Sequence, residues 1–186
     1  FELKGGLLDG KILLNLDTEE DNELTIGCAG GLDVTAKGTY ASDVVPSGMI
    51  GQRLVVRGLH GGHSGTDIHR GYGNANKLMN RLLMCGEAHG LRIITIDGGS
   101  LRNAIPRESA ATVVLPAEKI AAFTTAINDL KASLLSEYRV TDPQLGIELS
   151  AADITGKVMA TTDQQRFLRA VQACPNGIHR MSPDVA

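Results

Sequence analysis

The sequence has 186 residues, no tryptophan, and aromatic residues at only 3%. Its core is therefore expected to be aliphatic, assembled from Leu, Ile, Val and Ala. Cysteine is scarce too. Cys28, Cys85 and Cys174 are odd in number, far apart and without a C-x-x-C pair, so they indicate neither a disulfide framework nor a structural zinc site, and a reducing cytoplasm is the default location. No apolar run approaches the roughly 18 residues needed for a membrane-spanning helix, and no membrane partner is expected. An excess of positive charge is also missing: the formal net charge is −3, so nothing points to nucleic acid or another polyanion. The first residues, Phe1-Glu2-Leu3-Lys4-Gly5-Gly6, contain no initiator methionine and no signal-peptide features, and the chain is expected to be cut from something longer.

What is present centres on Gly58-Leu59-His60-Gly61-Gly62-His63-Ser64-Gly65-Thr66-Asp67-Ile68-His69. The β-branched run Leu54-Val55-Val56 precedes it, and apolar positions at helical spacing in Lys77–Met84 follow it, so it reads as a glycine-rich loop between a strand and a helix. Glycine permits positive φ and close approach to a ligand, and imidazole exchanges protons near neutral pH. Such a loop suits a small anionic or carbonyl-bearing ligand. His63, between glycine and serine, is the first candidate for a functional side chain, while His60 and His69 read as supporting or surface residues. The same residues also suit a tight turn with solvated histidines, so the loop alone does not decide between the two readings.

Read in order, Lys11–Leu16 is an apolar run ending at Asp17, and an aspartate at the carboxyl end of a strand can reach a cleft as a metal ligand or simply sit in a solvated acidic turn. Glu23–Cys28 alternates like a strand and Leu32–Tyr40 follows as another extended segment. Ser42–Gly48 is expected to turn, and Met49–Arg57 to form the strand feeding the histidine loop. A helix is expected from about Gly73 to His89, stopped by Gly90. Strands are expected at Leu91–Ile96, Ser109–Leu115 and Leu145–Leu149. Pro116 opens a second helix, Lys119 to about Tyr138, with Ile120, Phe123, Ile127, Leu130 and Leu134 on one stripe. A last helix, Thr162–Ala173, is expected to be capped by Thr161 or Thr162. From Met49 to Leu149 the order is β-α-β-β-α-β, an α+β, ferredoxin-like arrangement with both helices on one face of an antiparallel sheet. Its uncovered face and free edge call for a partner, either a second copy or a neighbouring domain.

Five stretches taken together carry a resemblance: Asn15-Leu16-Asp17-Thr18-Glu19-Glu20, Gly27-Cys28-Ala29-Gly30-Gly31, Gly61-Gly62-His63-Ser64-Gly65, Gly73-Asn74-Ala75-Asn76-Lys77-Leu78 and Leu101-Arg102-Asn103-Ala104-Ile105-Pro106-Arg107-Glu108. In this order they resemble the aminoacyl-histidine dipeptidases (Xaa-His dipeptidases, bacterial carnosinases), dinuclear-zinc metallopeptidases related to aminoacylase and carboxypeptidase G. The resemblance implies a ferredoxin-like lid domain, which also forms a homodimer, inserted into an α/β catalytic domain that holds two zinc ions. It implies residues 1–33 as trailing strands and linker of the catalytic domain, 34–178 as the lid, and 179–186 as the return linker. It also implies Asp17 as a metal ligand, His63 as the catalytic lid histidine that stabilises the oxyanion, and Asn103 as a substrate contact.

The family's H-x-D segment, bridging aspartate and catalytic Glu-Glu pair belong upstream of Asp17, and its final histidine belongs downstream of Ala186. One aspartate cannot hold a tetrahedral ion, so the 186 residues alone are expected to bind no zinc and to be inactive. The complete protein is expected to be a cytoplasmic, zinc-dependent dipeptidase acting on Xaa-His dipeptides. Two other readings stand beside it: a stand-alone ferredoxin-like binding or dimerisation module, and a related metallohydrolase acting on other dipeptides or N-acyl amino acids.

Overall fold

The computed structural model describes residues 6, 9–12, 14, 22, 30–181 and 183. The chain divides into two compact units, Phe1–Gly38 and Thr39–Ala186. In the first, Lys11, Ile12 and Leu14 are described and belong to no strand, and Ile12 and Leu14 are exposed. A strand needs a neighbour for its amides and carbonyls, and the described residues of this unit supply none. The rest of the expected Lys11–Leu16 strand, the Glu23–Cys28 strand and Asp17 lie outside the described residues. Residues 30–38 are exposed and form no strand.

The second unit carries the fold. Six strands and three helices follow in order: β1 Ser42–Asp43, β2 Met49–Arg57, α1 Ala75–Glu87, β3 Arg92–Gly98, β4 Ser109–Pro116, α2 Ile120–Glu137, β5 Gly146–Ala151, β6 Val158–Met159 and α3 Thr161–Ala173. The main sheet is antiparallel in the order β3-β4-β2-β5, the split βαβ topology expected from the sequence. On β2 the alternation fixes which side is inside: Leu54 and Val56 are fully buried, while Arg53 and Arg57 are exposed on the other face. Val113 and Leu115 of β4 join them, and α1 covers this face with Leu78, Met79, Leu82 and Leu83. Phe123, Ile127 and Leu134 of the α2 stripe complete the core, which is aliphatic apart from Phe123 among its fully buried members.

Helix α1 starts where the Asn74 side chain accepts the amides of Asn76 and Lys77, a cap absent from the sequence reading. Its end is marked by Gly90 at φ +78, as anticipated. Pro116 closes β4 opposite Met49, and a 3-10 turn at Ala117–Lys119 separates it from α2. Ser42–Asp43, expected as a turn, pairs instead with β6. The threonine cap expected for α3 is not formed: Ala160 precedes the helix, and its amide is already donated to the Ala41 carbonyl at 2.7 Å. Ala160, at φ −57 and ψ +139, takes the N-cap position with its carbonyl accepting the Gln164 amide at 2.9 Å, and as an alanine it has no side-chain oxygen to offer.

The two outer strands are treated differently. Along β3, the buried Gln164 of α3 accepts the Ile93 amide at 2.9 Å and donates to the Leu91 carbonyl at 2.9 Å. Arg92 adds bonds to the Asp43 carboxylate and the Met159 carbonyl, each 2.7 Å. Helix α3 is in turn held by Lys77, whose ammonium donates to the carbonyls of Val171, Gln172 and Cys174 and so satisfies the end of the helix. The outer edge of β5 has no such cover among the described residues. The sheet face away from the helices carries Arg53, Arg57, Thr95, Asp97 and Glu148, with Arg57 Nε 2.9 Å from Glu148 Oε1.

Replacing Gln164 by leucine strands a buried amide and a buried carbonyl. We expect Gln164→Leu to cost about 2–4 kcal/mol, seen as a lower urea midpoint at unchanged slope. A shift below about 0.5 kcal/mol would contradict the sealing of β3 by this side chain.

Candidate functional site

The histidine loop is shaped first by its glycines. At Gly58 the backbone has φ +76, and a Cβ there would lie 2.1 Å from the Gln144 carbonyl oxygen, so only glycine fits. Leu59 then turns into the core, while Gly61 and Gly62 have φ +75 and +128. The loop ends in a short 3-10 turn, Ile68–Arg70, followed by Tyr72 and Gly73. Both ends meet one side chain: Asp142, on the connection from α2 to β5, accepts the His60 amide at 2.7 Å and the Gly73 amide at 2.8 Å. The His60 ring stacks on Tyr72 with centroids 4.1 Å apart, which agrees with a supporting role for this histidine. His69 is exposed.

Inside the loop His63 is held by its backbone and by one ring nitrogen. Its amide donates to Asp67 Oδ2 at 2.8 Å, and its carbonyl accepts the Asp67 amide at 3.1 Å. Its ring Nδ1 accepts the amides of Gly65, at 3.0 Å, and Thr66, at 3.2 Å. An atom that accepts two N–H groups carries no proton, so in the neutral ring the proton sits on Nε2. The residue is exposed, which leaves Nε2–H available as a donor.

The loop containing Asn103 lies alongside. The Ser64 amide donates to the Asn103 carbonyl, and the Ile105 amide to the Gly62 carbonyl, both at 2.8 Å, and His63 forms a bridge with Ala104. Buried Ile105 and a bond from the Ala75 amide to the Pro106 carbonyl anchor this second loop to the core and to α1. His63 and Asn103, two of the three site residues expected from sequence, are thus brought together on adjoining loops, with Asn103 exposed. Asp17 lies outside the described residues.

A cavity of about 650 Å³ opens between this second loop and the polar sheet face. Arg53, Arg107, Asp97 and Glu108 line it together with His60. The four charged side chains form no ion pairs with one another. Neighbouring groups are tuned for structure: the Tyr72 hydroxyl, then the Asp67 carboxylate, hold Arg70 above its ordinary value. Burial, then Glu137, pushes the Tyr138 phenol up, and its ring packs against Gly73. Burial also raises the Cys85 thiol, which makes it a poor nucleophile. Among the described residues no three His, Cys, Asp or Glu side chains converge to hold a metal ion.

Residues 47–142 match the family described as "Peptidase dimerisation domain". The chain belongs to the peptidase dimerisation domain family. It is 40% identical over 188 residues to the cytosol non-specific dipeptidase of Escherichia coli (strain K12), a match that takes in 100% of this chain and 38% of that protein. Among solved structures it is similar to aminoacylhistidine dipeptidase from Vibrio alginolyticus, with 43% identity, a TM-score of 0.76, and coverage of 78% of this chain and 30% of that one. The chain therefore spans well under half the length of either relative. Within this dimerisation domain, the sequence reading singled out the loop and its histidine but not Asp142, whose Thr141-Asp142-Pro143 setting looks like any polar turn, nor the arginines that line the cavity.

The geometry makes two expectations for His63. Nitrogen-detected NMR should find the ring as the Nε2–H tautomer. Gly62→Ala, which forces a side chain into the left-handed region and places its methyl 2.9 Å from Asp67 Oδ2, should destabilise the domain by about 1–3 kcal/mol and shift the His63 ring signals. Unmoved ring signals would separate His63 from the bracket made by Asp67.

Proposed function

We propose that this chain is the lid and dimerisation portion of a dipeptidase, and that His63 supplies a hydrogen bond to the oxygen that becomes negative as the peptide bond is cleaved. The observation that carries this is the capture of Nδ1 by the Gly65 and Thr66 amides, which leaves a single, outward-facing Nε2–H donor on an anchored loop. A donor held in place before the reaction needs no reorganisation in the transition state. The ring only binds and orients at that oxygen and need not take up a proton. Asn103, one residue before the strand-like bridge to His63, lies within reach of the same substrate as a binding residue.

Dipeptides carry an ammonium at one end and a carboxylate at the other, and the cavity beside His60 presents charged groups of both signs. The name of the Vibrio relative supports Xaa-His dipeptides as substrates, and that of the Escherichia relative supports a wider range of dipeptides as the second reading. The latter name also supports a cytoplasmic location. Two zinc ions remain the cofactor that the resemblance implies for the complete enzyme, with Asp17 as one ligand, and the other ligands would come from outside this chain. The division into residues 1–33, 34–178 and 179–186 is proposed on the same basis. A homodimer through the lid is supported by the family's description and by the uncovered edge of β5.

In the complete enzyme, His63→Ala is expected to lower kcat on an Xaa-His dipeptide by about 10²–10³-fold at unchanged metal content, the usual effect of losing one oxyanion donor. Asn103→Ala is expected to act mainly on KM. Full turnover in His63→Ala would overturn the proposed role.

A further inference from the structure

We infer that Asp142 is a positioning residue for His63: its carboxylate ties the two ends of the histidine loop together and thereby fixes the ring that the loop presents. This rests on the proposed role of His63 and adds to it a residue far away in the sequence.

Asp142 is only 2% exposed, and no lysine or arginine pairs with it among the described residues. A buried carboxylate without a cation is unfavourable unless hydrogen bonds replace its water. Here each oxygen takes one amide, from His60 at 2.7 Å and from Gly73 at 2.8 Å. The residue is itself held: its amide donates to the Tyr138 carbonyl at 2.8 Å and its carbonyl accepts the Leu145 amide at 2.9 Å. The frame at the end of α2 therefore passes its rigidity to both stems of the loop at once.

Those stems control His63 directly. His60 is separated from His63 only by Gly61 and Gly62, and glycines at 61, 62, 65 and 71 give the segment little stiffness of its own. The stack of His60 on Tyr72 lies immediately beside the two captured amides and closes the same base. Asp142 is not among the residues lining the cavity, so it acts through the loop rather than on substrate. A carboxylate suits the position because two donors converge there. An amide would offer one acceptor and turn an N–H toward the other donor.

The test is a double-mutant cycle in the complete enzyme, with a dipeptide as substrate. Asp142→Asn should lower kcat by about 10- to 100-fold, as expected for a misplaced catalytic group, with KM within about twofold and metal content unchanged. In a His63→Ala background the same substitution should cost nothing further. Equal losses in both backgrounds would reduce Asp142 to a stability residue and overturn the inference. A damaging His63→Ala beside a harmless Asp142→Asn overturns this inference alone, whereas a harmless His63→Ala overturns the role of His63 first. Should Asp142→Asn not fold, hydrogen exchange on the unmodified enzyme decides: His60 and Gly73 amides exchanging as slowly as those of β2 support the tie, and fast exchange at either overturns it.

Discussion

A single buried carboxylate determines where the histidine loop can go. Asp142 accepts one amide from each end of the loop, and the glycine-rich segment between them has little stiffness of its own. With the base closed, the shorter-range bonds can form: Asp67 onto the His63 amide, and the Gly65 and Thr66 amides onto the ring. The second loop then completes the surface through Ser64 and Ile105. The outcome is an exposed ring oriented by the two amides on its Nδ1.

The scaffold around the loop solves a different problem, that of the sheet edges. A four-stranded sheet covered on one face has two edges and one open face to protect from unwanted pairing. Here a glutamine side chain of α3 caps the start of β3 as a neighbouring strand would, and the open face carries charged and hydroxyl residues around Val55 and Ala110. Lys77 and Asn80 reach from α1 to carbonyls of α3 and keep that seal in place. At the other end of this sheet β5 keeps an edge without a strand partner among the described residues, the kind of edge through which a second copy can extend the sheet.

Periodic features of the fold were legible in the sequence. Met49–Arg57 is recovered at both ends because its β-branched alternation is bounded by glycine and a turn. The stripe Phe123, Ile127 and Leu134 is likewise the buried side of α2. The ribbon of β1 and β6 was not legible, because two residues per strand carry no period. Long-range caps were equally invisible: Asp142 reaches amides 82 and 69 residues away, and Gln164 bonds groups 71 and 73 residues away, with nothing local to announce either. His63 was singled out from the composition of its loop and Asn103 through motif resemblance, yet their adjacency and the tautomer of the ring follow only from the geometry. Asp17 stays an expectation, since it lies outside the described residues.

In the proposed mechanism the lid presents His63 as a fixed Nε2–H donor to the reacting oxygen. The most direct test of this role is a crystal structure of the complete enzyme with a phosphinic dipeptide mimic, whose tetrahedral oxygens imitate the transition state. The account predicts His63 Nε2, from the same or the partner subunit, about 2.7–3.1 Å from one phosphinyl oxygen, with Nδ1 still on the Gly65 and Thr66 amides. A ring turned so that Nε2 faces those amides, or a closed lid with no histidine of this loop near the phosphinyl group, would contradict it.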